Sequence, residues 1–130
     1  MFELEKAVEA VPAEPKSALK LARTIAAWIL SVLLALLYLR VSSMKLMSAP
    51  PAVQEFDHVG LGQWFRYFTG LLEISGAIGL LIPRLRYWPA LLLAMVMVGA
   101  IIAHLTRLHS PPTLPAVLLL ALLATAWLRK

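Results

Sequence analysis

Long apolar runs separated by short polar or proline-containing turns make up most of the chain after its first seventeen residues. Four such runs stand out, at about residues 19–47, 63–83, 88–105 and 112–127. A transmembrane helix needs about 20 consecutive apolar residues, and these runs come close to that length. Short turns between helices favour antiparallel neighbours. The pattern therefore predicts an all-α protein, a four-helix transmembrane bundle with antiparallel helices.

The link between the first two runs predicts one further element. Pro50 and Pro51 end the first helix, since proline cannot continue a helix from within. Residues 52–59 then place Val53 and Phe56 on one side of a short amphipathic helix. We expect this short interfacial segment to lie at the membrane surface between helices 1 and 2, where it can act as a lid.

The second run carries a polar stripe. Residues three, four and seven apart share a face of a helix. One face therefore collects the small and polar residues, namely Arg66, Thr69, Gly70, Glu73, Gly76 and Ala77. The opposite face collects Phe65, Leu72, Ile74, Ile78 and Leu81. We expect the small-residue face to contact other helices and the apolar face to contact lipid.

Glu73 makes this stripe a candidate site. A carboxylate inside a membrane costs about 3 kcal/mol or more unless it is paired or protonated. Its candidate partners are Arg66 on the same helix, Lys45 from the first helix and His104 from the third. We therefore take Glu73, Arg66, His104 and Lys45 as candidates for ligand binding or proton handling. The alternative is a purely structural polar clamp that fixes helix register.

Two of these candidates have a second interpretation. Lys45 shares a helical face with Ser31, Tyr38 and Ser42, so it either turns inward to Glu73 or extends to the interface as an anchoring lysine. His104 near the end of the third helix is either a member of the site or an interfacial histidine bonded to backbone or water.

Composition excludes several classes of function. Hydrophobic residues make up 61% of the chain, and the mean hydropathy is +0.81, above the range of soluble domains. The absence of cysteine excludes disulfides, thiol redox chemistry and thiolate metal sites. Glu55, Asp57 and His58 are adjacent in a loop, where we expect solvated side chains and no metal site. With no haem-ligating pair or dinucleotide fingerprint, we expect no catalytic residues and no stand-alone enzyme.

The charges predict an orientation. The net charge of +5 comes from basic residues that flank the apolar runs, which suits lipid headgroups and not nucleic acid. Eight of them flank one side: Lys6, Lys16, Lys20, Arg23, Arg84, Arg86, Arg129 and Lys130. Three, Arg40, Lys45 and Arg107, flank the other. Both termini should therefore be cytoplasmic, with residues 1–17 forming a polar cytoplasmic tail.

The order and spacing of short motifs over residues 36–105 resemble the DoxX and DoxX-like membrane proteins. The motifs are Lys45-Leu46, Pro51-x-Val53, Phe56, Gly60, Gly70-x-x-Glu73-x-x-Gly76, Leu80-x-Ile82-Pro83 and Met97-x-Gly99-Ala100-x-x-x-His104-Leu105. The resemblance implies a four-helix membrane domain over residues 18–130 in a bacterial-type plasma membrane. Some members of the family are associated with quinone-linked sulfur oxidation or membrane redox complexes.

Three functions follow as hypotheses. The first is an accessory subunit of a quinone-linked redox system, holding a small amphiphile in a pocket in the outer half of the membrane and working with a soluble oxidoreductase. The second is a proton-coupled transporter resembling the small multidrug-resistance exporters, although their membrane glutamate lies in the first helix. The third is a structural or assembly factor. A homo-oligomer is compatible with each.

We predict that reporter domains fused after Lys130 and inserted within residues 106–111 lie on opposite sides of the membrane. The reason is the unequal distribution of basic residues around four spans. A reporter inserted at residues 84–86 serves as control and should match the fusion after Lys130. Equal accessibility of all three reporters to a membrane-impermeant reagent would contradict the four-span arrangement.

Overall fold

A computed structural model describes residues 15–130 of the chain, and it is all-helical over that range. Five α-helices follow one another: α1 Pro15–Leu46, α2 Pro50–Val59, α3 Gln63–Leu80, α4 Trp88–Ala103 and α5 Thr113–Arg129. A 3-10 turn, Pro83–Leu85, precedes α4, and a π-helical turn, His104–Leu108, follows it. The all-α prediction is confirmed. The predicted tail lies outside the described residues except for residues 15–17, which belong to α1.

Proline and glycine set the limits of the short helix α2. Two prolines occupy its first turn, where the missing N–H is not needed. Gly60 ends the helix in the left-handed conformation, with φ of 82°, and its N–H donates to the carbonyl of Phe56. Ala52, Phe56 and Val59 form its buried side, so the amphipathic helix predicted for this segment is present.

The four longer helices pack around a shared core. Contacts join α1 to α3, α3 to α4, α4 to α5, and α5 back to α1. Tyr38, Leu80, Leu93 and Leu122 are fully enclosed between them. The short helix α2 lies against α3, α1 and the π-helical turn.

The outer surface is strongly apolar. Large side chains such as Leu36, Met95 and Leu120 are 60 to 73% exposed, far more apolar surface than a soluble monomer presents in one stretch. Two helical segments, Lys16–Leu46 and Trp88–Leu108, are long and apolar enough to cross a bilayer, and α5 is apolar but slightly shorter. The four-span bundle itself stays a prediction.

Glycines on α3 allow the neighbouring helices to approach closely. A Cβ atom added at Gly76 would lie 2.5 Å from the Leu93 side chain on α4, and one at Gly79 would lie 2.8 Å from Pro89. At Gly70 the nearest atoms belong to the end of α1. These contacts agree with the prediction that the small-residue face of this helix packs inside the protein.

Two arginines bind the carbonyl groups that helices leave free at their C-termini. Arg129 from the last turn of α5 donates to the carbonyls of Leu80 and Ile82 at 2.8 and 2.9 Å, where α3 ends. Arg23 from α1 donates to the carbonyls of Trp127 and Leu128 at 2.6 and 3.1 Å, where α5 ends. Both side chains therefore tie one helix to the end of another.

We predict that Gly76→Ala lowers stability by about 1–3 kcal/mol, because the added methyl group must displace Leu93 in a packed core. The matched control is Gly99→Ala on α4, where an added Cβ has no neighbour within 4 Å. This control should be neutral or stabilising by up to about 1 kcal/mol, the helix-propensity difference. Thermal unfolding in detergent compares the two, and a more sensitive Gly99 would refute the packing assignment.

Candidate functional site

An apolar cavity of about 510 Å³ lies between α3 and α4 and beneath α2. Its walls are mainly aromatic and aliphatic, which is usual for cavities that hold small organic ligands. The aromatic lining comes from Phe56 on α2 and from Phe65 and Phe68 on α3. On α4 the lining includes Leu92, Met95, Val96, Gly99, Ala100 and Ala103. Only a few of the residues that line the cavity are polar.

The central polar group is an ion pair between Lys45 and Glu73. The ammonium group of Lys45 contacts Oε1 of Glu73, and both residues line the cavity. The Glu73 side chain is 0% exposed and that of Lys45 is 13% exposed. The pair compensates a buried carboxylate that would otherwise be costly. Of the two interpretations of Lys45, the structure shows the inward one.

One oxygen of this carboxylate is left free. Among residues 15–130, Oε2 of Glu73 is buried without a hydrogen-bond partner, and so is the hydroxyl of Tyr38. Tyr38 lies two helical turns before Lys45 on the buried face of α1, together with Ser31 and Ser42. Buried polar atoms in folded proteins are normally paired. These two atoms therefore have unused capacity to bind a proton, a water molecule or a ligand group.

Arg66 has a different position from the one expected. It is 3% exposed, and its guanidinium donates to the backbone carbonyl of Lys45 and, at 2.8 Å, to the side-chain oxygen of Gln63. Gln63 in turn donates to the carbonyl of Val53 on α2 at 3.1 Å. Arg66 therefore caps α1 and links it to α2 and α3. It does not line the cavity and is a positioning residue for Lys45.

His104 is not brought to the cavity. Its Nδ1 lies 2.7 Å from the hydroxyl of Ser110, and the N–H of Ser110 donates to the His104 carbonyl at 3.1 Å. These bonds close the π-helical turn at the end of α4. The placement agrees with the interfacial interpretation, but with a side-chain hydroxyl as partner.

The polar residues of α2 lie in different surroundings. Asp57 and His58 are exposed, and His58 bonds back to the carbonyl of Gln54 at 2.7 Å. Glu55 is exposed as well, but it also lines the cavity, as does Arg107 of the π-helical turn. Neither residue was among the site candidates predicted from the sequence. The sequence indicates the position of Glu55 and Arg107 only weakly, because both residues lie in polar segments at the ends of apolar runs.

The apolar face predicted for α3 needs a correction. Ile78 and Leu81 are 51 and 43% exposed, as expected for residues facing lipid. Phe65 and Leu72, however, line the cavity. Helical periodicity places them opposite the polar stripe but cannot show that α2 and α4 lie over that side.

An apolar exterior around a buried ion pair is typical of a helical membrane protein. The chain belongs to the DoxX-like family, whose match covers residues 29–126 and includes all four candidate residues. The resemblance found in the sequence is thus confirmed. No curated protein and no solved structure gives a significant match. Family membership and the two apolar helices together indicate a membrane protein.

We predict that Lys45→Met destabilises the protein by about 3–5 kcal/mol, because it leaves the carboxylate of Glu73 buried and uncompensated. The double variant Lys45→Met with Glu73→Met should recover most of this loss, since two apolar side chains can replace the pair. Arg40→Met, at an exposed position of the same helix, is the control and should be nearly silent. Additive losses in the double variant would show that the pair is not coupled.

Proposed function

We propose that this protein is an accessory subunit of a membrane redox system and that the cavity holds a quinone-like amphiphile. The observation that carries the proposal is an apolar cavity whose lining includes the Lys45–Glu73 ion pair. A cavity of about 510 Å³ is within the range used for small organic ligands, roughly 300–1,000 Å³. A ligand with a polar ring and an apolar tail matches a cavity whose lining combines an ion pair with mainly apolar walls.

The proposal includes a four-helix membrane bundle in a bacterial-type plasma membrane, with both termini cytoplasmic. Hydrogen bonds at two levels support it. Near one end of the helices, Lys45 of α1 meets Arg66 and Glu73 of α3. Near the other, Arg23 of α1 meets the end of α5. These contacts are those of antiparallel neighbours. The eight-to-three distribution of basic residues supports the orientation.

The polar groups suit a carbonyl-bearing ring. Lys45 can donate a hydrogen bond to a ring carbonyl, while Oε2 of Glu73 can hold or accept a proton. The rings of Phe56, Phe65 and Phe68 offer aromatic surfaces against which a planar group packs. A quinone, when bound, supplies two-electron carrier chemistry in the membrane. The residues of this chain orient it, exclude water and keep a proton site beside it.

Electrons for such a system come from a partner. The chain has no cysteine and therefore no thiolate ligands for an iron–sulfur cluster. We place a soluble oxidoreductase partner in this role. The ion pair favours this function over proton-coupled export, because an export carboxylate must exchange freely between protons and substrate whereas Glu73 is held by Lys45.

We predict that Gly99→Leu weakens quinone binding without loss of folding. Gly99 lines the cavity and has open space at its Cβ position, so leucine fills the cavity and disturbs no helix contact. Affinity for decylubiquinone, measured from the shift in unfolding temperature of the purified protein, should fall at least about tenfold, or roughly 1.4 kcal/mol. The matched control is Val98→Leu, next to it but 46% exposed and outside the lining.

A second pair of variants tests the polar end of the same cavity. Glu73→Gln keeps size and hydrogen-bonding capacity but cannot ionise, and it should leave a folded protein with weakened quinone binding. Asp57→Asn, at an exposed position on α2, should bind like the parent. Binding that is unchanged by both Gly99→Leu and Glu73→Gln would reject the cavity as the site. Loss of abundance alone in Glu73→Gln would favour the structural clamp.

A further inference from the structure

A second, smaller cavity lies at the opposite end of the helices. Its volume is about 160 Å³, and it is enclosed by α1, the 3-10 turn after α3 and the end of α5. Its polar lining comes from Thr24, Ser31, Arg86 and Arg129, with the indole of Trp28 on one side. Neither the cavity nor these residues take part in the quinone site.

Arg129 is held in place by the fold, whereas the Arg86 side chain is exposed. Arg129 is fixed by hydrogen bonds to the carbonyls of Leu80 and Ile82 and, at 3.2 Å, to the hydroxyl of Ser31. A guanidinium fixed in this way loses little freedom when an anion arrives. Arg86 follows the 3-10 turn with a positive φ of 54°, which is uncommon for a residue other than glycine, and its side chain completes the lining of the cavity.

The charged side chains that the structure describes around this cavity have one sign. Among residues 15–130, this end carries seven basic side chains: Lys16, Lys20, Arg23, Arg84, Arg86, Arg129 and Lys130. The described acidic side chains, Glu55, Asp57 and Glu73, lie on α2 and α3 toward the other end. The cavity therefore attracts anions and has no nearby described carboxylate to pair with the cationic group of a zwitterion.

Aromatic side chains place this end at the membrane surface. Trp28, Trp88 and Trp127 are 40, 64 and 58% exposed, and Arg23 and Lys130 lie 4.9 and 5.4 Å from the ring of Trp127. Tryptophan concentrates at the level of the lipid headgroups. At that level the phosphate groups nearest the cavity are those of the lipid headgroups.

We propose that this cavity binds the phosphate of an anionic phospholipid headgroup. The guanidinium groups of Arg86 and Arg129 contact the phosphate oxygens, and Trp28 packs against the glycerol and the upper acyl chain. Basic cavities between membrane helices on the cytoplasmic side commonly bind such headgroups. The proposal depends on the membrane location of the chain and is independent of quinone binding.

The test measures lipid binding to the purified full chain in mild detergent by native mass spectrometry and by the shift in unfolding temperature. The probes are phosphatidylglycerol, phosphatidylcholine with the same acyl chains, and inorganic phosphate. We expect saturable binding of phosphatidylglycerol, much weaker binding of phosphatidylcholine, and no stabilisation by inorganic phosphate. Stabilisation by inorganic phosphate equal to that by phosphatidylglycerol would reject the lipid as the source of the anion.

Matched variants locate the site. Arg86→Gln should weaken phosphatidylglycerol binding roughly tenfold, the value of one charge-assisted hydrogen bond. Arg84→Gln removes the same charge two residues away, outside the cavity, and should bind like the parent. Arg86→Lys should fall between them, because lysine keeps the charge without the guanidinium geometry. Equal losses in Arg86→Gln and Arg84→Gln would show a general charge effect and overturn the proposal.

Discussion

The carbonyl groups at helix C-termini impose the constraint on which this fold depends. Where these carbonyl groups are shielded from water, the protein must supply donors. Three arginines do so, each from a different helix: Arg66 of α3 binds α1, Arg129 of α5 binds the end of α3, and Arg23 of α1 binds the end of α5. The fourth long helix ends in a π-helical turn closed by the Ser110 N–H. The same arginine contacts therefore cap the helices and join them to one another. They fix the register of α1, α3 and α5 at both ends.

The same set of interactions positions the candidate site. Lys45 is bound twice, by its carbonyl to Arg66 and by its ammonium to Glu73. Because Arg66 and Glu73 are two turns apart on α3, these contacts hold the end of α1 along the polar face of that helix. Gly70 lies between them and leaves room for the approach. The ion pair is thus oriented by backbone contacts, which is the kind of support that a precise binding site requires.

Sequence periodicity was sufficient for the helices and for the polar face of α3, because both depend on local spacing. It also placed Lys45 on the same face of α1 as Tyr38, but it left open whether the lysine turns inward or anchors at the interface. Periodicity did not show that Lys45 and Arg66 have different roles. Arg66 and Lys45 were both candidates for ligand binding or proton handling, and only the structure shows that the Arg66 guanidinium binds the backbone of α1. Likewise the sequence left His104 as either a site member or an interfacial histidine, and in the structure the π-helical turn after α4 pairs it with Ser110. Phe65 and Leu72 were assigned to lipid because periodicity contains no information about which helices cover a face.

The cavity follows from an unequal distribution of small residues between α3 and α4. Gly76 and Gly79 bring these helices together near Leu93 and Pro89. Toward the other end, α3 presents phenylalanine rings and α4 presents Gly99 and Ala103, whose small side chains leave the space between them open. The short helix α2 covers this opening with Phe56 and is held to α3 by the bond from Gln63 to Val53. Met95 and Ile102 in its lining are 73 and 56% exposed, so this space is open at the protein surface and is not a void in the core. It borders the Lys45–Glu73 ion pair, and among residues 15–130 the second oxygen of that carboxylate has no hydrogen-bond partner. This combination is the basis for proposing it as a binding site.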